Sequence, residues 1–151
     1  MNIEVNAGQY VEVRNTDTAF VYDGGKAKVQ EGGHATVFAG GEVTVFEDGL
    51  ANVQDCGQAI VQNGGSVNVQ DGGVAIVQFG GQAIVHDHGT AEILDGGRAY
   101  IYDGGQVEVH NGGKAIVYEG GKAYVYPGGE ATGPGNITYA ELPTDDLAPS
   151  I

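Results

Sequence analysis

The chain has 151 residues and a formal net charge of −14, with 28 Gly, 20 Asp or Glu, six Lys or Arg, one Cys and no Trp. Glycine far above its usual ~7% beside only four Pro excludes collagen and proline-rich disorder, and a single Cys excludes an internal disulfide framework. The acidity argues against direct binding to nucleic acid or an anionic membrane; with no run near the ~18 apolar residues of a membrane span and no signal-peptide pattern in Met1-Asn2-Ile3-Glu4-Val5, a cytoplasmic protein is expected.

Residues 1–17 carry apolar pairs Ile3/Val5 and Val11/Val13 but no Gly-Gly at Thr16-Asp17, and they bear Glu4, Glu12 and Arg14. They read as an N-terminal cap coil. From 18 to 132 the chain is an uninterrupted octapeptide array, Gly-Gly-x-(Ala/Val)-x-(Val/Ile)-x-(Asp/Asn/Glu). Glycine recurs every eight residues from Gly25 to Gly129, and Val or Ile follows four residues later from Val29 to Val125. The phase is lost at Gly133. Residues 133–142, with Asn136-Ile137-Thr138-Tyr139, are expected to cap the last coil, and 143–151 to form an acidic, mobile tail.

Alternating Ala/Val and polar positions specify strands with one buried face. Asp-Gly-Gly supplies the turns, since Gly reaches positive φ without strain and Asp bonds local backbone. One octad cannot bury its inner face alone, whereas stacked octads can, so the fold class is all-β, a β-solenoid or β-helix. Two octads per coil give a flat two-sided roll of 16 residues. Three give a triangular coil of 24. The acidic series Asp23, Glu47, Asp71, Asp95, Glu119 and the basic set Lys26, Lys28, Arg98, Lys122 each gather on one side at a spacing of 24, which favours the three-sided coil.

Little here points to catalysis. His34, His86, His88 and His110 lack a convergent ligand pattern, although His110 would stack above His86 in a 24-residue coil. Cys56 replaces a turn glycine, and Ser66 and Ser150 lack a nucleophile-elbow context. No enzyme, cofactor or metal site is expected. The Gly-Gly turns superficially resemble the calcium-binding nonapeptides of RTX toxins, but the period, the missing third glycine and the Asp before the glycines differ. Whether Ca2+ binds between Asp-bearing turns stays open. The octads also look like bacterial adhesin passenger repeats, which belong to long secreted chains.

The acidic field is the main functional lead. From Val29 to Gly97 nine acids occur with no Lys or Arg. Coils ~4.8 Å apart make that stretch roughly 14 Å tall if three-sided, about one charge per 1.6 Å of axis, against one per ~1.7 Å in B-DNA. In size, acidity and rod form the chain is similar to pentapeptide-repeat gyrase-binding proteins and to small phage inhibitors of restriction or CRISPR systems. The expectation is a non-enzymatic DNA mimic, a phage-derived inhibitor whose row Asp23, Glu47, Asp71, Asp95, Glu119, with Glu42 and Glu92 beside it, enters a protein's basic nucleic-acid-binding cleft. Val74, Ile76, Phe79, Tyr100, Tyr102, Tyr124 and Tyr126 form a second expected surface for a homodimer or another protein–protein interaction. The alternative reading is a structural phage or cell-surface fibre module.

Overall fold

The computed structural model describes residues 1–140. The strands are β1 (Asn2–Val5), β2 (Tyr10–Val13), β3 (Thr18–Val21), β4 (Lys26–Val29), β5 (His34–Val37), β6 (Glu42–Val45), β7 (Leu50–Val53), β8 (Gln58–Val61) and β9 (Ser66–Val69). They continue as β10 (Val74–Val77), β11 (Gln82–Val85), β12 (Thr90–Ile93), β13 (Arg98–Ile101), β14 (Gln106–Val109), β15 (Lys114–Val117), β16 (Lys122–Val125), β17 (Glu130–Thr132) and β18 (Asn136–Tyr139). The odd strands form one nine-stranded sheet and the even strands another, and the ladders within each are parallel. The protein is a β-solenoid, and no helix occurs among the described residues.

The coil is two-sided, not three-sided. Asn2 pairs with Thr18, Thr18 with His34 and His34 with Leu50, an offset of 16 residues in each case. The turns decide this. After each strand from β1 to β16 a β-turn closes, as where the Gly33 amide donates to Gln30 O at 3.0 Å. A closed β-turn reverses the chain, so each strand runs back across the core opposite the last, and no third side is left. The stacking of like residues at intervals of 24 is coincidence in this geometry, because that interval is one and a half coils.

The core between the sheets is Ala and Val with two Ile, Ile93 and Ile101, and no polar or charged side chain is buried among the described residues. From β3 to β16 the second and fourth strand positions point inward, as at Ala75 and Val77. The first and third point outward, where Asn68 Nδ2 donates to Asn52 Oδ1 at 2.9 Å across register partners.

The two turn glycines have different causes. The first takes φ of +76 to +88 between Gly24 and Gly128, the left-handed region. Here Asp48, Cys56 and His88 replace it, at φ of 59, 65 and 70. The second glycine is buried against the coil before it. A Cβ on Gly105 would fall on Val85 O, with Val85 C at 2.7 Å. Gln9 and Asp17 occupy this place in the opening coil, which has no coil beneath it. His88→Gly is expected to stabilise the fold by about 0.5–1 kcal/mol by relieving a left-handed non-glycine residue, read as a higher urea midpoint.

Residues 1–17 form the first coil, β1 with β2, in the register of those that follow. At the other end Gly133-Pro134-Gly135 shortens the connection, so β18 pairs with β16 at an offset of 14, Lys122 with Asn136. Tyr139 sits against Val125, and its hydroxyl donates to Ala131 O at 3.1 Å. Residues 141–142 of the expected cap and the expected tail 143–151 lie outside the described residues.

Candidate functional site: the acidic turn edge

The turns alternate between two long edges of the roll. Those leaving odd strands form the first edge, and those leaving even strands the second. An interval of 24 residues therefore crosses the molecule. The expected row Asp23, Glu47, Asp71, Asp95, Glu119 divides accordingly, with Asp23, Asp71 and Glu119 on the first edge and Glu47 and Asp95 on the second. Glu42 and Glu92 lie outward on β6 and β12 of the even sheet.

The coils build a different ladder on the first edge. Asp55, Asp71, Asp87, Asp103 and Glu119 hold the second turn position of five consecutive first-edge turns and are all exposed. At one coil every ~4.8 Å they span roughly 19 Å. The middle of the ladder is tied coil to coil by its backbone, with the Asp71 amide donating to Asp87 O at 2.8 Å and the Asp87 amide to Asp103 O at 3.0 Å. The three middle carboxylates thus stand on a hydrogen-bonded frame. Gly120 takes φ of +83, where a side chain is strained, and Asp103 Oδ1 lies in the space its Cβ would need.

None of the first-edge turns carries Lys or Arg. Asp87 meets His86, whose Nδ1 is 2.8 Å from Asp87 Oδ2. Aromatic pairs flank the ladder, Tyr22 on Phe38 at 5.1 Å and Tyr102 on Tyr118 at 4.7 Å, both stacked. Asp55, Asp87 and Asp103 are the members the sequence reading missed. Their signal was the interval of 16 shared by Asp55 and Asp71, which a 24-residue coil obscures.

The axial charge density changes as well. With two octads per coil the stretch from Val29 to Gly97 is roughly 21 Å tall, about one acid per 2.3 Å, lower than the ~1.7 Å of duplex DNA. The near-equality expected from a three-sided coil is lost.

The expected apolar surface is dispersed. Val74, Ile76 and Tyr124 lie on the even sheet, with Glu92 and Glu108 between Ile76 and Tyr124 in the same file. Tyr100 lies on the odd sheet, Tyr102 on the first edge, and Phe79 and Tyr126 on the second. The basic side chains scatter too: Lys26, Lys28 and Lys122 are on the even sheet and Arg98 on the odd. Lys26 pairs with Glu42 at 3.5 Å, and Lys28 lies 4.9 Å from the Phe46 ring centroid. His110 is on the second edge and His86 on the first, so they do not stack. Cys56 is a free, exposed thiol.

No helix among the described residues is long and apolar enough to cross a membrane. No protein-family model and no curated protein matches the chain. Among solved structures it is similar to a TibC-catalyzed, hyper-glycosylated TibA55-350 fragment, at 19% identity and a TM-score of 0.46 over 93% of this chain and 92% of that one.

Proposed function

We propose that the protein is a non-enzymatic interaction protein whose first edge docks into the basic groove of a nucleic-acid-binding protein and competes there with nucleic acid. The carrying observation is the ladder Asp55, Asp71, Asp87, Asp103 and Glu119, five exposed carboxylates at fixed heights on an edge without Lys or Arg. Arg and Lys that hold phosphates accept carboxylates by the same charge-assisted hydrogen bonds. A stiff frame lowers the ordering cost of presenting them. The stacked tyrosines beside the ladder add the amphipathic surface common at interfaces.

The test is binding to a basic-cleft protein recovered on the immobilised protein. Affinity should fall steeply with salt, and duplex DNA should compete. Reversing Asp71 and Asp103 to Lys should weaken binding about tenfold or more, mainly through slower association, with the far-UV spectrum unchanged. Salt-insensitive binding that DNA does not displace removes the idea.

A structural fibre module is the second reading. It is supported by the constant coil geometry and by the outer strands at each end of the roll, which carry free edges among the described residues. It predicts concentration-dependent end-to-end assembly by light scattering and no preference for basic partners.

A further inference from the structure

We propose that Glu92, Glu108 and His110 form a surface site for a divalent first-row transition-metal ion of the Zn2+ type. The three come from adjacent strands of the even sheet and the turn that follows. Glu92 of β12 and Glu108 of β14 are register partners. His110 opens the second-edge turn after β14, two residues beyond Glu108. One ligand atom from each lies within 4.8 Å of the other two, and His110 Nε2 is 3.8 Å from Glu108 Oε2. Tetrahedral ligands at 2.0–2.2 Å from one ion lie about 3.4 Å apart, so no pair of the triad need close by more than about 1.4 Å. Small torsional changes in two glutamate side chains at the surface supply that movement.

Three features distinguish this group from the other surface acids. The first is the imidazole, which stacks flat on Tyr126 with centroids 4.6 Å apart and an interplanar angle of 5°. Tyr126 is in turn met edge-on by Tyr124 at 5.1 Å. The aromatic wall holds the histidine ring in place beside the carboxylates.

The second is uncompensated charge. Like charges directly opposite across a ladder are destabilising, yet Glu92 and Glu108 form no ion pair with Lys or Arg among the described residues. The odd sheet has the mirror case, in which Arg98 and Lys114 are register partners, but there Lys114 Nζ lies 3.9 Å from Glu130 Oε2.

The third is ligand chemistry. An imidazole with two carboxylates suits Zn2+, Mn2+, Co2+ or Ni2+, whereas Ca2+ and Mg2+ prefer oxygen alone. Three protein ligands leave a coordination position for water or a partner's side chain. A bound ion would also cross-link two neighbouring coils.

The experiment is Zn2+ titration by calorimetry on Cys56→Ser protein, which removes the competing exposed thiol, together with urea unfolding with and without Zn2+. One saturable site and a raised urea midpoint are expected, since an ion that binds the folded state alone stabilises it. Glu92→Gln, Glu108→Gln and His110→Ala should each weaken binding about tenfold or more and remove the midpoint shift, with unchanged far-UV spectra. His86→Ala and His88→Ala should leave both intact. The proposal is overturned by the absence of saturable Zn2+ binding, by binding that follows His86 or His88, or by a Ca2+ site that needs the two glutamates and ignores His110.

Discussion

Gly105→Ala is expected to destabilise the protein by about 3 kcal/mol or more, an overpacking penalty at the upper end of its usual range. The added Cβ would fall on Val85 O and within 2.7 Å of Val85 C, both backbone atoms of the preceding coil. No rotamer change relieves a clash with backbone, so two coils must separate and stretch the ladder between β11 and β13. Gly80→Ala is the matched control. Its φ is +88, but the nearest atom to its Cβ is Gly64 N at 3.6 Å. That variant bears only the left-handed penalty of about 1–2 kcal/mol. Urea unfolding followed by far-UV dichroism separates the two. Equal midpoints for both variants would show that the coils are not in close contact at the second glycine.

Val69→Asp is expected to have the larger effect. Val69 is fully buried in β9 at the middle of the roll. The core around it holds no polar side chain to receive a carboxylate among the described residues. An uncompensated buried charge costs about 3–5 kcal/mol, or forces the acid to stay protonated. Each coil touches only its neighbours, so stability is close to a sum of coil and interface terms. A lesion in the middle divides the array into two short stacks. Val125→Asp places the same charge in β16, beyond which the even sheet has only β18, so it should fray the last coils and spare most of the dichroism. Limited proteolysis checks the contrast, with early cleavage in the middle of the chain for Val69→Asp and near its end for Val125→Asp. Matching losses of signal in both would mean that the roll unfolds as one cooperative unit.

The functional tests draw on the same geometry. Lys replacements at Asp71 and Asp103 sit at exposed turn positions on a frame held by backbone hydrogen bonds. They change the edge's charge without entering the core. Loss of partner binding in those variants therefore reports on the edge, and the metal-site variants report separately, because Glu92, Glu108 and His110 belong to the even sheet and the second edge.

What the chain order alone determined is the solenoid itself. Val77 and Ala75 alternate with polar neighbours, and the eight-residue phase holds from Gly25 to Gly129 without a slip, so burial of one face and stacking in register follow from periodicity. The number of sides did not follow, because it depends on how far each turn rotates the chain. That rotation is set by the hydrogen bond closing turns such as Gln30 to Gly33, and an octad repeat is compatible with either corner. Once the turn reverses the chain, everything measured in coils changes. Asp23 and Glu47 move to opposite edges, Asp55, Asp87 and Asp103 join Asp71 and Glu119, and Glu92 comes to face Glu108 beside His110. The two glycines, identical in sequence pattern, also separate only in three dimensions, one answering to a dihedral and the other to the backbone of the coil beneath. Local periodicity fixes which residues face inward; which outward residues become neighbours is a property of the closed coil.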